Sequence, residues 1–77
     1  MDVRIGIADS PQIIEVELPE ETDRVELKKL VQSVLEGATS VFTVEDKRGK
    51  ELNVPASRVS FIEIGAQDAD RRIGFGA

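Results

Sequence analysis

Two glutamates with strand spacing are the first residues in this chain that could do chemistry. Glu15 and Glu17 alternate with apolar residues, so a strand would place both carboxylates on one face, ~6–7 Å apart. Carboxylate oxygens are the ligands that Mg²⁺ prefers, and a neighbouring strand could supply a third. Acidic side chains are also ordinary on the solvent face of a strand. We therefore expect no metal site; stabilisation by Mg²⁺ that Glu15→Gln or Glu17→Gln removes would indicate one.

The composition lacks the usual catalytic groups. The chain contains no cysteine and no histidine, which excludes disulfides, thiolate ligands, the commonest metal ligand and the usual general base. Its serines have no histidine to activate them, and no segment matches the G-x-x-x-x-G-K-[ST] phosphate loop. We expect no enzyme activity and no cofactor.

The C-terminal end holds a second candidate site. Arg71 and Arg72 could contact a phosphate through their guanidinium groups, with Gly74 and Gly76 allowing a close approach of the backbone. No helical pattern accompanies these glycines, and we expect a frayed tail as the simpler interpretation. Nucleotide binding through this tail remains the alternative function.

The net charge of the chain limits the kinds of molecule that it could bind. Fifteen acidic and ten basic residues give a net charge of −5, which disfavours sequence-independent binding to nucleic acid or anionic lipid. The acidic excess lies in the first 23 residues, where Arg4 is the only base. This excess could attract a basic partner, although a solubilising surface is simpler. No run approaches the ~20 apolar residues of a membrane-spanning helix. With no secretory leader visible, we expect a cytoplasmic protein.

Hydrophobic periodicity predicts five strands and one helix. Five short apolar runs read as strands, at residues 3–7, 14–18, 41–44, 51–54 and 59–64. The first, second and fourth alternate with polar or small residues, and the third is β-branched and aromatic. Between the second and third runs, the apolar residues from Leu27 onward follow a period of 3.6. Asp23, or Thr22 one residue earlier, is placed to cap the start of this helix, and Gly37 is placed to end it. We expect one domain over residues 1–66 and an irregular tail over residues 67–77.

The order β-β-α-β-β-β predicts an α+β fold. One helix can cover one face of a sheet, which gives a two-layer sandwich with the helix packed on a mostly antiparallel five-stranded sheet. The strand order 2-1-5-4-3 makes every neighbouring pair antiparallel. Leu27, Leu30 and Val34 should face the sheet, so that Leu30→Ala would cost ~2–5 kcal/mol.

The fifth strand carries apolar residues on both of its faces. Glu63 belongs in solvent, so we expect Ile62 and Ile64 beneath the helix, and Phe61 and Val59 on the open face. Val41 from the third strand could join these two. An exposed phenylalanine patch of this kind is typical of a contact surface.

Two occupants could cover this predicted patch. The first is a second copy of the chain, in a homodimer with the open faces packed together, and this is the arrangement we favour. The second is the chain's own tail, which would fold back through Ile73 and Phe75. An unidentified protein partner is expected in either case.

Four stretches together resemble one known family. They are VRIGIADSP at residues 3–11, FTVEDKRG at 42–49, PASRVSFIEIG at 55–65 and RRIGFG at 71–76. Their combined order is similar to that of a small actinobacterial family, domain of unknown function 3107. The resemblance implies a stand-alone bacterial cytoplasmic protein, whose relatives are often labelled as ATP-binding. From the residues themselves, the function we expect is a non-catalytic protein-interaction module that works through its sheet face, an exposed strand edge or its C-terminal tail.

Overall fold

The computed structural model describes residues 1–66 and leaves residues 67–77 undescribed. Its elements follow the predicted order β-β-α-β-β-β, with one short 3₁₀ turn before the last strand. They are β1 (Asp2–Ile7), β2 (Ile13–Glu17), α1 (Arg24–Leu35), β3 (Val41–Glu45), β4 (Glu51–Pro55), the 3₁₀ turn (Ala56–Arg58) and β5 (Val59–Ile64).

Of the two predicted caps, Asp23 is the one that begins helix α1, and Gly37 follows its end as predicted. The Asp23 carboxylate accepts hydrogen bonds from the backbone N–H groups of Val25 and Glu26, at 2.9 and 3.2 Å. At the other end Gly37 has a φ of 84°, a left-handed conformation that glycine adopts without strain. The Gly37 N–H bonds the Val34 carbonyl and the Ala38 N–H bonds the Ser33 carbonyl, which is the Schellman pattern of helix termination.

The strands form two antiparallel sheets, and the prediction of a single five-stranded sheet is wrong. The first sheet has the order β2-β1-β5, and the second is the hairpin β3-β4. The predicted neighbours of β1 and the β3-β4 pair are thus correct, but β4 and β5 do not pair. The 3₁₀ turn between them redirects the chain. Both ends of this turn are hydrogen-bonded to distant parts of the chain. The Ala56 N–H donates to the Ser40 carbonyl, and the Arg58 carbonyl accepts from the Ala8 N–H.

One hydrophobic core joins both sheets and the helix. Val3 and Ile5 of β1 and Phe42 of β3 are its most deeply buried side chains. The helix contributes three buried residues, Leu27, Val31 and Val34. Leu30, predicted to face the sheet, packs against this core and is only partly buried.

A β-bulge in β5 moves Val59 from the predicted open face to the core side of the sheet. Gly6 pairs with Phe61, but the next residue of β1, Ile7, pairs with Val59, so Ser60 is the extra residue. Val59 therefore lies opposite Ile7 and packs against the core instead of sharing a face with Phe61. The prediction of Val59 on the open face is corrected accordingly.

The β3–β4 turn is organised by one carboxylate. Asp46 accepts hydrogen bonds from the backbone N–H groups of Lys50 at 2.8 Å and Arg48 at 2.9 Å. The bond from the Lys50 N–H is the main cause that lowers the pKa of Asp46 below its ordinary value of 3.8. Gly49, with a φ of 89°, completes the turn.

Candidate interaction surface

The candidate site is the face of the first sheet that points away from the core. Because side chains alternate along a strand, Asp2, Arg4 and Gly6 lie opposite the buried Val3 and Ile5. The pairing of β1 with its two neighbours then assigns the rest of this surface. We call the open face the set Asp2, Arg4, Gly6, Ile13, Glu15, Glu17, Phe61 and Glu63.

The centre of the open face is a phenylalanine ring that lies over a glycine. A Cβ atom built on Gly6 would be 2.2 Å from Cε2, 2.5 Å from Cδ2 and 2.8 Å from Cζ of Phe61. No side chain fits at this position while the ring stays where it is. The absence of a side chain at Gly6 thus lets the ring lie across β1, the central strand of the sheet.

Ile13 extends this apolar centre to the other edge of the sheet. It pairs with Gly6 from β2, as Phe61 does from β5, so Ile13, Gly6 and Phe61 form an apolar row across the three strands. Ile13 is 44% exposed and Phe61 39% exposed, the latter even though its ring covers the glycine. Two large apolar side chains thus meet solvent on a rigid sheet.

A charged row lies next to the apolar row. Arg4 pairs with Glu15 and Glu63 across the sheet, and its guanidinium reaches one carboxylate on each side: Nε lies 3.6 Å from Glu15 Oε2, and Nη1 lies 3.5 Å from Glu63 Oε1. These pairs are exposed, so each contributes only ~0–1 kcal/mol to stability. Asp2 and Glu17 follow in the next row. The open face therefore carries four carboxylates and one guanidinium.

The three residues predicted to form the interaction surface do not share one face. Phe61 lies on the open face as expected. Val59 has turned towards the core at the bulge, and Val41, 40% exposed, lies in the second sheet opposite Pro55. Sequence reasoning missed Gly6 and Ile13, which only the register of β1 with β2 and β5 brings beside Phe61.

The other predicted sites have different outcomes. The possible phosphate contacts all lie outside the described residues, and they are Arg71, Arg72, Gly74 and Gly76. Glu15 and Glu17 each face a base, since Lys47 Nζ lies 3.4 Å from Glu17 Oε1 and Arg4 contacts Glu15. Within residues 1–66, no three carboxylates are grouped closely enough to hold a metal ion.

A depression of about 410 Å³ lies at the C-terminal end of α1. Its lining includes Leu35, Thr39 and Ser57. The Thr39 hydroxyl is hydrogen-bonded to Ser33, and in the described part of the chain every buried side-chain polar atom has a partner. The depression thus holds no buried polar side chain in need of a ligand, and the open face is the stronger candidate.

The comparison with family models covers nearly the whole sequence. The model described as "Protein of unknown function (DUF3107)" matches residues 1–76. The chain belongs to this family. No curated protein matches this DUF3107 chain. In its described residues, no helix is both long and apolar enough to cross a membrane.

Proposed function

We propose that this DUF3107 chain is a non-catalytic binding module that contacts a protein partner through the open face. The observation that carries the proposal is the exposed apolar row of Ile13, Gly6 and Phe61. An aromatic ring left 39% exposed beside an isoleucine left 44% exposed offers apolar area that a partner can remove from water. A location in the cytoplasm remains a prediction.

The rigidity of the row supports this proposal. Gly6 belongs to the central strand, and Ile5 beside it is fully buried in the core. The Phe61 ring rests against the backbone at Gly6, which restricts its rotation before any partner arrives. A surface that is ordered in advance loses little conformational entropy on binding, so more of the contact energy appears as affinity.

The charges beside the row indicate the chemistry of the partner. The four carboxylates outnumber the two cations beside them, Arg4 and Lys47, so the open face is acidic and a partner with basic groups next to apolar ones is favoured. Nucleic acid and anionic lipid would meet repulsion on this face. A basic, apolar protein segment fits both rows.

The test compares variants of the open face with a matched control elsewhere. The full chain carrying Ile13→Asp or Phe61→Ser is immobilised beside wild type and Val25→Asp, which places the same charge at a 61% exposed position on α1. Bound proteins from a cell extract are identified, and the Kd of each purified candidate is measured by calorimetry. Urea unfolding verifies that each variant is folded.

The proposal predicts a clear division between these variants. Ile13→Asp and Phe61→Ser should each weaken the Kd by about 30-fold, equivalent to the ~2 kcal/mol of an interface hot spot, whereas Val25→Asp should bind like wild type. Equal binding by wild type and both open-face variants would contradict the proposal. The proposal would also be contradicted if no protein in the extract bound wild type more tightly than it bound the open-face variants.

A further inference from the structure

We propose that residues 67–77 of the same chain bind back onto the open face, with Arg71 over the charged row and Ile73 over the apolar row. The inference rests on the proposed function of the open face as a binding surface, and it adds an internal competitor that regulates access. The chain leaves the described fold beside the first residue of β1. The Gly65 N–H bonds the Asp2 carbonyl at 2.7 Å, and Arg24 Nη1 donates to the Gly65 carbonyl at 2.8 Å.

The length of the segment is sufficient for this return. Gly65 lies beside Asp2, and Gly6 is four residues further along β1, a distance of ~13 Å at the rise of a strand. Ile73 follows Gly65 by eight residues, which span up to ~26–29 Å when extended. The chain can therefore reverse direction after Gly65 and still reach the apolar row.

The order of residues in the segment matches the order of rows on the open face. A chain running from Asp2 towards Gly6 passes carboxylates first and the apolar row last. The segment likewise presents Arg71 and Arg72 before Ile73 and Phe75. The Arg71 guanidinium then meets the Glu15 or Glu63 carboxylate on one side of Arg4, and Ile73 meets the apolar row.

The spacing within the segment matches as well. Arg71, Ile73 and Phe75 are two residues apart, so an extended segment would present all three to the sheet at intervals of ~6.6 Å. The charged and apolar rows are also two residues apart along β1, at Arg4 and Gly6. Arg71 and Ile73 can thus occupy successive rows in one register.

The acidic residues of the segment precede its bases. Asp68 and Asp70 come first after the exit point, where the Arg24 guanidinium is held against the Gly65 carbonyl. In this register Asp68 would precede the row of Asp2 and Glu17 and lie near the Arg24 guanidinium. Asp70 would fall between the two carboxylate rows, on the side of the segment that faces away from the sheet.

The size of the open face favours a segment over a second copy of the chain. Three strands ~4.8 Å apart and six residues long give a face of roughly 14 by 20 Å, about 280 Å². A stable interface between two folded proteins buries about 800 Å² on each partner. One extended segment fills such a face, whereas a homodimer would need contacts well beyond it.

The test uses a spin label at the end of the full chain. The sequence has no cysteine, so Ala77→Cys gives one labelling site. Paramagnetic broadening of amide NMR signals then reports which residues the C-terminus approaches. We expect broadening at Gly6, Ile13 and Phe61 but not at Gln32, an exposed residue of α1 on the other side of the core.

A charge-reversal pair supplies the control. Arg71→Glu with Arg72→Glu should abolish the broadening on the open face. Lys28→Glu with Lys29→Glu makes the same change in net charge on α1, across the core from that face, and it should leave the broadening intact. Broadening that is absent from the open face, or that survives the reversal at Arg71 and Arg72, would overturn the inference.

A mixed sample identifies the source of the segment. Isotope-labelled protein without the spin label is combined with spin-labelled protein of natural isotope content. Broadening of the open face in this mixture would mean that a second copy supplies the segment, and it would overturn binding within one chain. Failure of the inference leaves the proposed function standing if Ile13→Asp still loses a partner. If the segment binds the open face but no partner is lost on Ile13→Asp, the inference stands and only the proposed function is refuted.

Discussion

Substituting Gly6 with alanine tests the geometry at the centre of the open face. The new Cβ would lie 2.2 Å from Cε2 of Phe61, so the ring must move off the strand. The ring can do so because Phe61 is 39% exposed and faces no covering element in residues 1–66. The cost is therefore the apolar contact that the ring loses, not a clash buried in the core.

The magnitude follows from the buried area. A phenylalanine side chain offers about 200 Å², of which roughly three fifths is buried here, equivalent to ~3 kcal/mol at 25 cal/mol per Å². Losing about half of that contact would cost ~1.5 kcal/mol. Alanine offsets ~0.5–1 kcal/mol, because glycine in a strand loses more backbone entropy on folding. Gly6→Ala should thus destabilise the protein by about 0.5–1 kcal/mol.

A double-mutant cycle makes this expectation decisive. In a Phe61→Ser background no ring opposes the methyl group, so the same Gly6→Ala change should stabilise the protein by ~0.5–1 kcal/mol. The free energy of unfolding from urea titrations of the four proteins gives the coupling, about 1.5 kcal/mol. If Gly6→Ala has the same sign in both backgrounds, the ring does not rest on Gly6 and the account of the apolar row is refuted.

Three further predictions concern helix α1 and the β3–β4 turn. Leu27→Ala should cost ~2–5 kcal/mol in urea unfolding and Leu30→Ala clearly less, because Leu27 is buried and Leu30 only partly so; equal costs would contradict this packing. Asp23→Ala removes both N-cap bonds and should cost about 1 kcal/mol, whereas no loss would mean that the cap is dispensable. The lowered pKa of Asp46 adds stability that is present above 3.8, its ordinary value, and is lost as the pH falls through the lower folded value. Urea unfolding across acidic pH should therefore show a shallower decline for Asp46→Asn than for wild type, and parallel curves would contradict it.

The helix is the element that the sequence predicts most completely, because its signals are local. The 3.6-residue period, the Asp23 cap and the left-handed Gly37 all depend on neighbours within a few positions. The strands are likewise visible from alternation alone. The division into two sheets depends on the 3₁₀ turn at Ala56–Arg58, whose bonds to Ser40 and Ala8 join distant parts of the chain. No local pattern encodes such bonds.

The candidate site is only partly predictable for a related reason. Alternation places Phe61 on the open face, since Ile62 and Glu63 fix the orientation of β5. Val59 breaks that alternation at the bulge, and a one-residue shift in register moves a side chain to the opposite face. The contact between Phe61 and Gly6 joins residues far apart in sequence, so it requires the strand pairing to be known.

Mapping the contact surface by NMR tests the central claim most directly. The partner recovered by wild type is titrated into the isotope-labelled full chain, and amide shifts are followed for every described residue. The account predicts the largest shifts at Gly6, Ile13 and Phe61, with smaller shifts along the charged row. Shifts concentrated at Leu35 and Ser57 in the depression beside α1, with the open face unchanged, would contradict it.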